Sequence, residues 1–306
     1  MSLLALIKPK GSNGFGYGTT AEEVTEGIDL TGKTILITGC NSGLGKESMR
    51  VLSLRGATII GLGRTKEKVE EAFKEAGVKQ SKAFTCELSD PKSVKLCVEE
   101  IKKENSKIDV LLCNAGIMAL PKLEKSNGYE LQFFTNHIGH FILVTGLIDS
   151  LTENGRVVML SSAAHNAAPK AGIEFDNLSG EKSYSAWTAY GQSKIANLLF
   201  AKELARRFQG SKKTAYAVHP GVIPTNLGRH MNPIAIAIFG LSKHLFLKSI
   251  EQGSATQCYT ATNPNVVQNS GSYFADCNVA VTRKEADDLD LAKKLWEVSE
   301  GIVSKL

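Results

Sequence analysis

Short blocks of consecutive apolar residues recur along the chain, and between them apolar positions return every three or four residues. The first block, Thr34-Ile-Leu-Ile-Thr38, is too short for a helix and reads as a strand buried on both faces. Glycines and a helical run over 44–54 follow it. Further strands are expected over 57–62, 83–86, 108–113, 156–160, 215–218 and 272–274. Helical patterns lie over 91–105, 129–150, 186–208 and 251–262. Strands alternating with helices predict right-handed βαβ units. The expected fold is therefore α/β, a doubly wound, mostly parallel sheet in a single domain, with its ligand crevice at the strands' carboxyl ends. Residues 1–30 form an N-terminal arm: 11–18 is irregular, and Thr20 with Glu23 three residues on reads as a capped short helix. The domain then runs over 31–306 without a repeat, linker or low-complexity block.

Composition narrows the choice of function. Apolar residues make up 42% and charged residues 22% of the 306, as in ordinary globular proteins. The net charge of +5 is spread thinly, with basic residues no denser than pairs such as Lys102-Lys103, Arg206-Arg207 and Lys212-Lys213, so nucleic acid is a poor partner. The six cysteines form no C-x-x-C pair and no metal-like spacing with histidine, which argues for free thiols in a reducing compartment and against a metal site. Only five apolar residues run together at 3–7, too few for a signal-peptide core. No run approaches the roughly 20 apolar residues of a membrane span. The expected protein is soluble, with membrane contact left open.

The turn after the first strand carries the first chemistry. In Thr38-Gly39-Cys40-Asn41-Ser42-Gly43-Leu44-Gly45, glycines permit a tight turn and close approach of a pyrophosphate to the backbone. The helix N-terminus that follows offers N–H donors and a favourable dipole. The spacing is G-x-x-x-G-x-G, and the glycines alone would also serve a merely tight βα turn. Its place between strand and helix favours a dinucleotide. The second strand ends Ile60-Gly-Leu-Gly-Arg64, with an arginine and no acid, which suits the 2′-phosphate of NADP(H). Arg64 read as a surface residue of the next helix is the plainer alternative. Tyr190-Gly-Gln-Ser-Lys194 places a tyrosine and a lysine on one helix face, where an ammonium ion lowers a phenol's pKa and makes it an acid or base near neutral pH. That spacing also arises by chance on solvated faces.

Taken together, Thr38-Gly39-x-x-x-Gly43-x-Gly45, Asn114-Ala115-Gly116, Asn136, Ser162, Tyr190-x-x-x-Lys194 and Pro220-Gly221 resemble, in order, the short-chain dehydrogenase/reductases over almost the whole chain. The finer match, through Asn136-His-Ile-Gly-His-Phe141, Thr188-Ala-Tyr-Gly-Gln-Ser-Lys194 and His219-Pro-Gly-Val222, is to the retinol-dehydrogenase-like branch. The chain is also similar to the catalytic part of the WW-domain-containing oxidoreductases. The resemblance implies a Rossmann-type sheet and a carbonyl–alcohol oxidoreductase. Tyr190 would be its acid/base, Lys194 the pKa-lowering partner on the nicotinamide ribose, Ser162 the holder of the substrate oxygen and Asn136 the support of a water relay. It also implies cofactor contacts from Gly39, Asn41, Ser42, Gly43, Leu44, Gly45, Arg64, Asn114, Ala115, Gly116, Pro220 and Gly221, and from Thr225 at the carboxamide end. His137, His140 and His219 are expected to be packing or structural residues.

Glu87 stands where the family commonly has an aspartate near the adenine. Ser162 and Tyr190 are also farther apart than in many members, and the insert around 167–185 is expected to rim the active site. An apolar lid over about 226–250 points to a lipophilic substrate of retinoid, steroid or fatty-aldehyde type. An ordinary packed helix fits that stretch as well. A catalytically weak nucleotide-sensing or scaffold protein is the rival reading. A homo-oligomer is compatible with the family but not specified. The last residues, Ser304-Lys305-Leu306, read as a peroxisomal address in a eukaryote and as coincidence elsewhere; a cytoplasmic protein is the alternative.

Overall fold

The computed structural model describes residues 3–104, 107–223 and 247–306. Eight strands form the main sheet: β1 (Thr34–Thr38), β2 (Thr58–Gly63), β3 (Ser81–Thr85), β4 (Ile108–Cys113), β5 (Leu151–Leu160), β6 (Thr214–His219), β7 (Tyr273–Ala275) and β8 (Asn278–Val279). Their order is β8-β7-β6-β5-β4-β1-β2-β3, with every pairing parallel except that of β7 with β8. The chain starts in the middle, winds out to β3, then returns across β1 to build the other half. That reversal opens a crevice between the carboxyl ends of β1 and β4.

Helices cover both faces because the strands are apolar on both. Leu36, Leu111, Val157 and Ala217 face one layer, made by α3 (Pro91–Lys103), α4 (Gly139–Leu147), α5 (Ala186–Arg207) and α7 (Leu289–Val303). Their neighbours Ile35, Ile37, Leu112, Val158 and Val218 face the other, made by α1 (Gly43–Leu54), α2 (Lys66–Glu75) and α6 (Ala255–Thr262). The period of two along each strand sends alternate residues into opposite cores.

The N-terminal arm is laid onto this second layer. Thr20 and Glu23 close the expected capping box over the short helix Ala21–Val24, whose Ala21 and Val24 are buried in the core. The stretch expected to be one helix over 129–150 is broken. Tyr129–Glu130 belongs to a two-stranded hairpin with Lys125–Ser126, and Glu130 caps the turn Leu131–Phe133. A π-helical turn, Phe134–Ile138, then leads into α4. The run Leu131–Ser150 is long and apolar enough to cross a membrane, but 78% of its most apolar window is buried inside the protein, as in a core helix.

Helix α7, which the sequence reading did not anticipate, seals the layer beside α5. Trp296 packs edge-on to Phe141 at 5.0 Å, and the Arg207 guanidinium covers its ring at 3.8 Å. Beyond it Leu306 is half-buried against the same core, while Ser304 and Lys305 are exposed. All six cysteines are buried free thiols.

Candidate active site

Five of the expected segments arrive at the carboxyl edge of the sheet. Gly39 leaves β1 with φ +65° and Gly43 opens α1 with φ +53°, conformations that glycine adopts without strain. Ser42 stands at the N-cap of α1 but makes no side-chain cap bond, so the helix's first N–H groups are left for an anion. Gly45 is bare where the turn needs it: a Cβ there would lie within contact of the Gly39 carbonyl and 2.6 Å from Asn114 Nδ2.

A cavity of about 700 Å³ follows this turn, lined by Gly39, Asn41, Ser42, Gly43, Leu44, Arg64, Asn114, Ala115 and Gly116 among others. Glu87, which stands where the family commonly has an aspartate near the adenine, lines it too, as do Leu62, Gly63, Cys86, Leu88 and Thr135, which the sequence did not single out as contacts. Gly63 was legible in hindsight, since glycine ending a buried strand marks a close backbone approach. Arg64 lies exposed on the rim and has no carboxylate partner among the described residues. Lys46, by contrast, is spent in an ion pair with Glu75.

The cavity reaches Gly116 and Leu160, and the catalytic candidates stand behind these two residues without lining it. Helix α5 is buried continuously from Tyr190 to Ala201. Lys194 Nζ donates to the Leu160 carbonyl (3.2 Å) and stands 5.5 Å from the Tyr190 ring centroid. A Cβ on Gly116 would sit 2.9 Å from Asn136 Oδ1 and 3.5 Å from Lys194 Nζ, so this glycine lets both approach one point. Gly191 does the same for Ser162: its bare Cα lets the 3-10 turn Ala163–Ala167 lie flat on α5, and a Cβ would be 2.6 Å from the Ala164 carbonyl. Ser162 caps that turn, its Oγ accepting from Ala164 N at 3.1 Å.

Asn136 sits fully buried in the π-helical turn. Its Oδ1 accepts from Ile117 N (2.8 Å), and its Nδ2 donates to the Ile117 carbonyl (2.9 Å) and to Ser193 Oγ (2.9 Å). Its own carbonyl accepts from His140 Nδ1, and His140 Nε2 meets Thr38 Oγ1, both at 2.9 Å. Thr38 Oγ1 in turn accepts from Asn114 N and Ala115 N.

Burial pushes the Tyr190 phenol up to about 12, against a hydrogen bond with Ser162 that lowers it. Burial likewise lowers Lys194 to about 8. The lowering of the phenol expected from Lys194 is thus not what dominates in the protein alone; desolvation is the larger effect. His137 and His219 are also held neutral, at about 3 and about 4, by burial.

Pro220 and Gly221 follow β6, with Gly221 at φ +96° packed on the Lys248 side chain, and neither lines the cavity. Nor do Ser162, Tyr190 and Lys194 themselves. Thr225 and the lid over 226–246 lie outside the described residues; at the far end Ile250 lines the cavity.

The short chain dehydrogenase family pattern matches residues 33–234, from the first strand to beyond Lys194. The chain belongs to this family. Its nicotinamide-dependent oxidoreductase members include relatives that agree over nearly full length. This short-chain dehydrogenase is 39% identical to short-chain dehydrogenase TIC 32 A, chloroplastic, of Brassica napus, covering 100% of both chains. It is 38% identical to human retinol dehydrogenase 11, covering 90% of this chain and 87% of that one. These matches place it in the retinol-dehydrogenase-like branch. An uncharacterised Mycobacterium paratuberculosis protein shares the structure with TM-score 0.75 and 32% identity, over 92% and 97% of the two chains. A Burkholderia cenocepacia short chain dehydrogenase solved with NADP shares the fold at TM-score 0.65 and 20% identity, over 80% and 96%.

Proposed function

We propose that the protein is an NADP(H)-dependent oxidoreductase that interconverts a carbonyl and an alcohol on a lipophilic substrate. The observation that carries this reading is the meeting of Lys194 and Asn136 at Gly116, at the inner end of a cavity walled by a glycine turn and rimmed by Arg64. The cavity walls fit a dinucleotide: uncapped N–H groups at Ser42–Gly45 suit its phosphates, and Arg64, without a carboxylate partner among the described residues, suits a 2′-phosphate. When bound, the nicotinamide supplies or accepts the hydride.

In the reducing direction Ser162 Oγ donates a hydrogen bond to the carbonyl oxygen and Tyr190 donates the proton that completes the alcohol. A phenol at about 12 is fully protonated at neutral pH and ready to act as that acid. Lys194, kept beside it, stabilises the phenolate left behind, and Asn136 holds the backbone over which the proton is replaced. Tyr190 and Lys194 also contribute to holding the ribose, with Pro220, Gly221 and Thr225 at the nicotinamide end. The relatives named as retinol dehydrogenases support a retinoid-like or similarly apolar substrate class.

The test is a screen of purified protein with NADPH and NADH against retinoid, steroid and fatty aldehydes and ketones, repeated with Tyr190→Phe. NADPH-dependent reduction abolished in the variant is the expected result. Equal turnover by both proteins would refute the catalytic assignment, and a preference for NADH would refute the role of Arg64. Tight NADPH binding with no turnover anywhere in the panel would favour the nucleotide-sensing rival.

A further inference from the structure

We propose that His140 is a positioning residue that couples the cofactor-facing wall, through Thr38, to the backbone of Asn136. The inference rests on the functional reading above and adds to it a connection between binding and proton transfer.

The hydrogen bonds assign every proton. A carbonyl only accepts, so the 2.9 Å contact to Asn136 O puts the proton on His140 Nδ1. In a neutral ring Nε2 is then an acceptor, and Thr38 Oγ1 at 2.9 Å must donate to it. That leaves the two lone pairs of Thr38 Oγ1 for Asn114 N and Ala115 N, both at 2.9 Å. Donors and acceptors match at each step from Ala115, on the cavity wall, to Asn136, in the catalytic set. His140 is fully buried, and burial holds its imidazole neutral at about 4, with the nearby Lys194 charge acting in the same direction.

The placement argues for positioning rather than filling. An apolar residue would pack in this interior without leaving polar groups to satisfy, whereas an unpaired buried donor or acceptor is costly. His140 stands two residues beyond the π-helical turn Phe134–Ile138, a rare geometry that recurs at functional sites. Its ring bridges 102 residues of sequence between Thr38 and the helix that carries Asn136. Thr38 is also the last residue of β1, so its hydroxyl fixes the strand end from which the Gly39 turn departs, together with the start of Asn114–Gly116.

Two substitutions cut the two halves separately. His140→Asn keeps a donor where Nδ1 stood and removes the acceptor for Thr38. His140→Gln reaches toward Thr38 and removes the donor to Asn136 O. NADPH affinity would be read by fluorescence titration, and kcat and KM with the best carbonyl from the screen, alongside melting temperature. We expect His140→Asn to weaken NADPH binding roughly tenfold with kcat nearly kept, and His140→Gln to lower kcat roughly tenfold with NADPH affinity nearly kept. Unchanged kinetics in both variants would overturn the coupling. So would joint losses of binding and kcat that merely follow melting temperature, the mark of a structural role. If neither His140 variant folds, Thr38→Val decides by the same titration: weaker NADPH binding supports the link and wild-type binding overturns it. A wild type that binds NADPH without turnover would remove the functional reading, and the titration would still judge the link.

Discussion

Lys194 is held in its place at a cost in stability, and removing its charge exposes that cost. Its ordinary value of 10.5 falls to about 8 because the ammonium is buried. The folded chain therefore releases its proton about 2.5 pH units before the unfolded chain does, which corresponds to about 3 kcal/mol against the charged folded state. The sign follows from proton counts. Between about pH 8 and 10.5 the unfolded state binds the extra proton, so this group's contribution to stability rises with pH across that window and is at its least favourable below pH 8. Lys194→Met keeps the length and removes the charge. The Leu160 carbonyl is not orphaned by the change, because Asn197 Nδ2 still donates to it at 2.9 Å. The variant should therefore be more stable than wild type at pH 7, by about 2–3 kcal/mol or roughly 5 °C in melting temperature, while losing most of its activity. At pH 9.5 the advantage should shrink to a fraction of that. Urea unfolding of both proteins at each pH gives the answer as a difference. The comparison is needed because buried thiols such as Cys40, Cys258 and Cys277, pushed up to about 12, weaken both proteins alike as pH climbs past 9. A variant less stable than wild type at pH 7, or a difference that ignores pH, would refute the reasoning.

Two further substitutions probe the glycines that bring the site together. Gly45→Ala drives a methyl into the Gly39 carbonyl and Asn114 Nδ2, neither of which has room to retreat; it should cost about 1–3 kcal/mol and weaken NADPH binding at least tenfold, read by thermal melting and titration. Gly191→Ala pushes against the Ala164 carbonyl and Ala168 N; the turn bearing Ser162 should lift from α5, so kcat should fall more than NADPH affinity, and equal retention of both would argue against this packing.

The sheet was readable from the sequence because β1, β2, β4, β6 and the second half of β5 carry short apolar stretches that feed both cores, whereas the first half of β5, polar at Thr152, Glu153 and Asn154, was not expected to be strand. The Gly39 turn and the Asn114–Gly116 stretch were readable because each directly follows such a run. Helix α7 escaped notice: its buried Ala292, Leu295, Trp296 and Ile302 are diluted by a dense set of exposed charges. The π-helical turn escaped too, since one wider turn hardly disturbs the repeat of apolar positions around Asn136. His140 was read as a structural polar residue, which its burial fits, but its partner lies across the sheet and no local spacing announces it. The competition between desolvation and the lysine charge at Tyr190 is likewise a property of depth, and depth is not written in a five-residue motif.

The order of the strands has a consequence for how activity can appear. The bonds that assemble the site join positions far apart along the chain: Thr38 to Ala115 across 77 residues, Asn136 to Ser193 across 57, and Ser161 to Lys194 across 33. Each closes a long loop of chain, and such contacts form late because the entropy of closure comes before the gain. No fragment holding only one half of the sheet contains both the Gly39 turn and Tyr190. Turnover is therefore a report on the whole sheet, and in refolding it can return only after the last of these loops has closed.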